Sequence, residues 1–272
     1  MTQNDTHPFA QQQPTQNAQN QLIQNNFGVA AQDYVTSTVH AEGPDLVWLV
    51  EDAHLTGNEV VVDVATGAGH TALTLAPHVR EVIAIDFTVP MLEAAQQLAK
   101  ERNITNIRFV EGDAHALPLA DSSVDVVACR KSAHHFINAA QAVHEWARIL
   151  KPGGKVIFVD TIAPEEPALD AFVNAIEVLR DPSHIRNNSV SQWITLLIEA
   201  GITASATRTW GIHMDMPTWV KRIRTPEQNV ERIYQLFTNA TPEERACLNL
   251  QQSDGIFTFD LPTALMIGTK TA

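Results

Sequence analysis

Residues 59–72, EVVVDVATGAGHTA, constrain the fold more than any other stretch of the chain. Val60, Val61, Val62, Asp63 and Val64 make a short apolar strand. Thr66-Gly67-Ala68-Gly69 makes a tight turn, and TALTLAPHV opens an apolar-periodic helix. A buried strand passing through a glycine turn into a helix N-terminus presents bare backbone N–H groups to a ligand. Glycine at 67 and 69 permits positive φ and removes a Cβ that would hold the ligand away.

The pattern then repeats. Apolar runs at Glu81–Asp86, Ile107–Val110, Val124–Cys129 and Lys155–Asp160 predict four more strands. Helices are predicted at Thr71–His78, Pro90–Glu101 and Ala139–Leu150. Short apolar strands alternating with longer helices require a mostly parallel sheet covered on both faces, and right-handed crossovers make it doubly wound. The fold class is α/β. Beyond strand five, helices are expected at Ala168–Arg180 and Val190–Ala200, the second stopped by Gly201. Ile202–Trp210 reads as strand six, and Ile256–Phe259 and Ala264–Lys270 read as closing strands.

The chain therefore divides into a single domain, 27–272, preceded by a tail, 1–26, whose Gln and Asn content and lack of apolar period predict disorder. Residues 27–57 predict N-terminal helices, with Phe27 and Tyr34 at helical spacing, which either lie over the site as a lid or pack on the core through these two rings. Residues 211–255 predict a helical insertion between strands six and seven.

With 31 acidic against 18 basic residues, the formal charge is −13. Such a chain repels polyphosphate, which excludes nucleic acid as a partner unless a basic stripe intervenes. Lys221-Arg222-Ile223-Arg224 is the one compact basic run, and it reads as a solvated helix face. Mean hydropathy is −0.09, and no apolar run approaches the ~20 residues of a membrane span. The N-terminus lacks the basic and apolar regions of a signal peptide, and the two cysteines cannot build a disulfide framework. These traits point to the cytoplasm; a homodimer is a compatible assembly.

Gly67-Ala68-Gly69-His70-Thr71-Ala72 also fits G-x-G-x-x-A, a dinucleotide-binding pattern. Three acids argue for another ligand. Asp63 lies four residues before Gly67, where a carboxylate would repel a pyrophosphate. Asp86 ends strand two and can accept ribose hydroxyls, and Asp113 follows strand three, where it can accept from an exocyclic amine. With no phosphate-binding Lys or Arg at the turn, the set suits a nucleoside carrying a positive centre, S-adenosylmethionine.

Taken together, VVDVATGAGHTA, VIAIDFTVPML, FVEGDAHALPLADSSVDVVACRKSAHHF and LKPGGKVIFVD resemble the class I S-adenosylmethionine-dependent methyltransferases. Within them they are similar to the bacterial small-molecule group related to ubiquinone and menaquinone biosynthesis. The resemblance covers roughly Glu59 to Asp160. It implies a seven-stranded sheet with an antiparallel last strand. It also implies that Asp63, Thr66, Gly67, Ala68 and Gly69 surround the methionine end and that Asp86 holds the ribose. Phe87 and Met91 would take the adenine faces, Asp113 and Ala114 its edge, and Arg130 the floor or carboxylate end.

Methyl transfer from a sulfonium is an in-line displacement in which alignment and exclusion of water matter most. Where the acceptor carries a proton, His134 and His135, just after strand four, are the candidate bases. The other histidines, among them His40 and His115, are scattered and form no metal-ligand spacing, so no metal is expected. No [ND]-P-P-[YF] follows strand four, which disfavours exocyclic-amine methylation of nucleic acid. The expected acceptor is a small, partly apolar metabolite methylated at O, C or N. Trp210, Met214, Met216, Trp219 and Phe237 would either line its pocket or form plain core. Two other readings stay open at this stage. One is a nicotinamide-dependent oxidoreductase on a Rossmann domain; the other is a non-catalytic protein that binds S-adenosylmethionine.

Overall fold

The computed structural model of the chain describes residues 15–35 and 41–271. In chain order the helices are α1 (Gln16–Val35), α2 (Asp45–Ala53), α3 (His70–Leu75), α4 (Val89–Glu101), α5 (Ala139–Ile149), α6 (Pro167–Arg180), α7 (Val190–Glu199), α8 (Met216–Arg222), α9 (Glu227–Thr238) and α10 (Pro242–Cys247). The strands are β1 (Val60–Val64), β2 (Glu81–Asp86), β3 (Ile107–Glu111), β4 (Val124–Arg130), β5 (Leu150–Thr161), β6 (Ile202–Asp215), β7 (Gln251–Ser253) and β8 (Ile256–Lys270). No helix among the described residues is long and apolar enough to cross a membrane.

Seven strands run in the order β3-β2-β1-β4-β5-β8-β6, and the short β7 pairs only with β8. Strands β1 to β5 are mutually parallel, while β8 is antiparallel to both β5 and β6. Reversal of the chain order at β1/β4 opens a crevice at the carboxyl ends of these strands, where ligands bind in such sheets.

Alternate residues of each central strand enter two separate cores, as expected of a sheet buried on both faces. Val62, Val64, Ile83, Ile85, Val127 and Phe158 join Trp146 of α5 and Trp193 of α7 on one face. Val61, Val82, Ala84, Val126 and Ile157 meet Leu49 of α2 and Leu75 of α3 on the other. Phe158 sits between the two tryptophans, its ring centroid 5.5 Å from that of Trp146 and 4.7 Å from that of Trp193. Truncating any of the three would cost about 3–5 kcal/mol.

A third core sits beyond the sheet's edge. Strand β8 pairs with β5 only as far as Thr263–Thr161, but continues with β6 to the Asp215–Thr258 pair. The β6–β8 ribbon thus projects past the carboxyl end of β5, carrying α8, α9 and α10 with it. Trp219, Phe237, Met214 and Met216 are buried there against Phe172 and Ile176 of α6.

Several expectations change. The tail expected to be disordered over 1–26 contains half of α1, from Gln16 onward; residues 1–14 lie outside the described residues. Its Asn20 and Asn26 side chains bond the carboxylates of Asp113 and Asp181, and Gln19 and Gln24 bond backbone carbonyls. Gln19 Nε2 donates to Ser183 O at 2.6 Å and His135 O at 3.2 Å, and Gln24 Nε2 donates to Phe87 O at 3.2 Å. Strand six runs to Asp215 rather than Trp210, so the helical insertion begins at Met216, and the two closing strands are one, β8. His40 and the Tyr34 side chain lie outside the described residues.

Candidate functional site

Two adjoining chambers occupy the carboxyl end of the sheet. The first has an empty volume of about 990 Å³, including its mouth, and lies between the β1, β2, β3 and β4 ends below and α1 above. Thr66, Gly67, Ala68, Asp86, Phe87, Met91, Asp113, Ala114, Arg130 and His135 all line it. Thus ten of the thirteen residues singled out from sequence come together in one cavity.

The two turn glycines do different things. Gly67 has φ +53°, and a Cβ built there would meet no atom within 4 Å, so the backbone stands open to the cavity. Gly69 has φ +83° and does not line the cavity; its Cβ would fall 2.8 Å from Ala95 Cβ. Gly69 is therefore needed for the contact of the turn with α4, not for ligand access. Two non-glycine residues in the cavity wall, Ala65 (φ 53°) and Lys131 (φ 54°), hold the same left-handed conformation just past β1 and β4. Such strain gathers where a site dictates the backbone.

Asp63 is corrected in the same way. It is buried beneath the turn, outside the cavity lining. Its Oδ2 accepts from Thr66 Oγ1 at 2.5 Å and from the Ala72 N–H at 3.0 Å. Burial pushes its carboxyl up to about 7. Asp63 thus ties the turn to the start of α3.

Asp86 does face the cavity. Its Oδ2 accepts the Gly67 N–H and its Oδ1 the Thr88 N–H, both at 2.8 Å, which fixes the carboxylate beside the turn. Burial raises its pKa. Asp113 Oδ1 lies 2.6 Å from His115 Nδ1 and also accepts the His115 N–H, while Oδ2 accepts from Asn20 on α1 at 3.2 Å. Burial works against this charge, but the bonds from His115 outweigh it and hold the carboxyl at about 2. His115, which sequence left among the scattered histidines, is part of the cavity wall.

The floor is a buried charge cluster. Asp45 of α2 receives Arg130 Nε at 2.5 Å and Lys131 Nζ at 3.3 Å. Burial and the neighbouring Arg130 push Lys131 down to about 8.

The second chamber, about 590 Å³ with its mouth, shares Phe27, Lys131 and His135 with the first. Beyond these it is walled by His134, Thr161, the α6 end with Glu177, Arg180 and Asp181, and the projecting ribbon with Ile212, Met214, Trp219, Arg222 and Leu261. His134 belongs here rather than to the first cavity. Its Nδ1 is 2.6 Å from Asp160 Oδ1, and Asp160 also accepts the His134 N–H at 3.0 Å. Asp160 is fully buried at the end of β5. With Nδ1–H donating to the Asp160 carboxylate, Nε2 of the neutral ring carries the lone pair. Burial disfavours the charged imidazole, yet the Asp160 carboxylate outweighs burial and the net shift is upward. His135 differs. Its Nδ1 donates to Ser183 O at 2.9 Å, and burial, aided by the adjacent His134, lowers it to about 4.

The expected aromatic and Met lining is mostly core. Trp219 and Phe237 are fully buried, and Trp210 turns away to pack edge-on against Trp48 at 5.1 Å. The basic run is not simply a solvated face either, since Arg222 lines the second chamber. Among the described residues, no group of three or more His, Cys, Asp or Glu could hold a metal.

The first cavity fits S-adenosylmethionine. Gly67 leaves backbone accessible, Asp86 offers fixed acceptor oxygens beside it, and Phe87 and Met91 supply apolar faces. Comparison with known proteins agrees. Residues 62–158 match the Methyltransferase domain family. The chain is 38% identical over 246 residues to the uncharacterized methyltransferase YcgJ of Bacillus subtilis, covering 90% of this chain and 97% of that one. It is 39% identical to the uncharacterized protein YafE of Escherichia coli, covering 71% and 93%. With the demethylmenaquinone methyltransferase of Deinococcus radiodurans it shares 35% identity over 53% of this chain and 62% of that protein. The crystal structure of YcgJ superposes with a TM-score of 0.81 at 36% identity, covering 84% of this chain and 98% of that one. These comparisons lend no support to a nicotinamide-dependent or non-catalytic protein. The chain belongs to the class I S-adenosylmethionine-dependent methyltransferases.

Proposed function

We propose that the first cavity holds S-adenosylmethionine and that the second chamber holds a small, partly apolar acceptor, with His134 as the base. The reading rests on one observation: the chambers meet at Phe27, Lys131 and His135, so an acceptor in the second reaches a methyl group at the inner end of the first. When bound, the sulfonium supplies an electrophilic methyl group, which passes in line to the acceptor's lone pair as the carbon–sulfur bond breaks and a neutral thioether is left. The chain's own residues bind, orient and shelter. Asp86 and the Gly67 backbone hold the nucleoside end, Phe87 and Met91 pack on the base, and Asp113 with the Ala114 backbone takes its edge. Arg130, locked to Asp45, forms the floor. His134 Nε2 takes the proton of an O–H or N–H acceptor, and Asp160 steadies the imidazolium. Ile212, Met214 and Leu261 supply the apolar wall.

Between the two histidines, the second-chamber geometry favours His134. His135 has no carboxylate on its ring, and at about 4 it is too weak a base for a hydroxyl or amine. Titration calorimetry with S-adenosylhomocysteine tests the cofactor half. Wild type is expected to bind, and Asp86→Ala to lose about 10- to 100-fold in affinity through loss of charged hydrogen bonds. No binding to folded wild-type protein would overturn the proposal.

A further inference from the structure

The wall of the second chamber holds an ion pair that is buried but not closed. Glu177 on α6 is 5% exposed, yet its carboxylate has no hydrogen bond from any described residue. Its nearest cation is Arg180 Nη1, 3.9 Å away, beyond hydrogen-bonding distance. Burial raises the Glu177 pKa, against the pull of Arg180 and His134. The Arg180 guanidinium is held from behind, with Nε donating to Trp219 O at 3.3 Å and Cζ 5.2 Å from the Trp219 ring centre.

Other buried charges among the described residues have partners. Asp45 has Arg130 and Lys131, Asp160 has His134, and Asp181 Oδ1 accepts both the N–H and the hydroxyl of Ser183. A buried carboxylate without a hydrogen bond is costly to keep, and such exceptions call for an explanation. Both side chains line the chamber, with Arg180 resting on Trp219 of the apolar cluster behind it.

We propose that Glu177 and Arg180 form the recognition fork for the acceptor's polar end. On this basis, which rests on the proposed function above, the acceptor is a small acid. Its carboxylate or phosphate meets the Arg180 guanidinium, and an amine or hydroxyl donor beside it meets Glu177. A planar guanidinium backed by a tryptophan is suited to a two-oxygen anion. The carboxylate next to it rejects a plain dianion and selects a molecule that also donates. The apolar part of the acceptor lies along Ile212, Met214 and Leu261, on the ribbon side of the chamber.

The test uses the full chain, radiolabelled S-adenosylmethionine and a bacterial metabolite extract split into an organic phase and an aqueous phase, the latter passed over an anion exchanger. Acceptors retained on the exchanger are expected to take the label, and phosphatase treatment of that fraction then separates phosphates from carboxylates. Glu177→Gln and Arg180→Met are expected to raise KM for that fraction about tenfold or more. Both variants should leave S-adenosylhomocysteine affinity unchanged, since neither residue lines the cofactor cavity. Glu177→Gln removes only a charge, so its melting temperature, expected to equal or exceed wild type, guards against misfolding. Label confined to the organic phase, or KM unchanged in both variants, overturns the inference while methyl transfer stands. Absence of S-adenosylhomocysteine binding would instead overturn the proposed function beneath it.

Discussion

The first cavity takes its lining mainly from the ends of β1 to β4, which follow one another along the chain, whereas the second chamber is assembled from segments far apart in sequence. In the first, each strand end can supply a ligand-facing residue, and a helix sets the spacing from β1 to β2 and from β2 to β3. In the second, Phe27 of α1, His134 after β4, Glu177 of α6 and Met214 of β6 meet where the β6–β8 ribbon overreaches its neighbours. One chamber is built from neighbouring strand ends and the other from distant segments. Loss of a residue from the first should therefore weaken cofactor binding, and loss from the second should spare it.

The sharpest separation concerns the paired histidines. His134→Gln is expected to lower kcat by about 10²- to 10⁴-fold, the usual contribution of a positioned base, with S-adenosylhomocysteine affinity intact. Activity should rise with pH as His134 loses its proton, with a midpoint above the ordinary imidazole value because Asp160 favours the charged ring. Asp160→Asn removes that bias, so the acid limb of the pH–rate profile moves to lower pH and the maximum falls. His135→Gln, which alters both chambers, should cost less in kcat. The reverse ranking would transfer the base to the cofactor side and erase the distinction.

Next in size is a contrast within the glycine turn. Gly69→Val combines a left-handed backbone, about 1–2 kcal/mol for an L-residue, with overpacking against Ala95, about 1–3 kcal/mol. Together these predict a melting temperature lower by about 4–15 °C. Gly67→Val meets no protein atom, so only the strain remains, but its side chain stands in the cavity. Its thermal shift should be the smaller of the two, while S-adenosylhomocysteine affinity falls at least about tenfold. Calorimetry and thermal unfolding on the same two proteins check both halves.

These two glycines also show how far sequence reasoning reaches. The strand–turn–helix of residues 60–75 was readable because a run of valines, two glycines and a periodic helix have one economical arrangement. Asp86 was readable because a strand's last residue has a predictable direction. Which glycine opens onto the cavity and which packs on α4 was not, since Ala95 is a contact made across the fold. Asp63 misled for a similar reason: a polar residue inside an apolar strand looks functional, but here it ties the turn to α3. The largest miss was α1. Its Gln and Asn side chains suggest a solvated tail when neighbours are unknown, yet a rim of exposed carbonyls is what amides satisfy well. Glu177 carried no sequence signal at all, being one acid on an amphipathic helix.

Because α1 spans both chambers, a milder change there should report on each. Gln19→Ala removes the bonds to Ser183 O and His135 O, a net loss of about 1–3 kcal/mol for two neutral hydrogen bonds. Loosening α1 is expected to lower S-adenosylhomocysteine affinity several-fold, by about 3- to 10-fold. Faster amide exchange in residues 16–28 should accompany it. Unchanged exchange with unchanged affinity would make α1 a bystander to the cofactor cavity.

The smallest effect on binding is expected at Asp63, and it tests whether a buried acid under the turn acts on the ligand or only on the fold. Asn at this position keeps an oxygen to accept from Thr66 and Ala72, and Asp63 lines neither chamber, so S-adenosylhomocysteine affinity should stay within about twofold. Stability should differ with pH. The folded-state value of about 7 lies above the unfolded 3.8, so between these limits the folded chain holds more protons than the unfolded one. Wild type therefore loses stability relative to Asp63→Asn as pH rises from about 4 to about 7, and the gap closes below that window. Chemical denaturation at pH 4, 5.5 and 7 reads this directly. A tenfold loss of cofactor affinity with no pH-dependent gap would put Asp63 back among the ligand's contacts and return the turn to the simpler reading in which every acid faces the nucleoside.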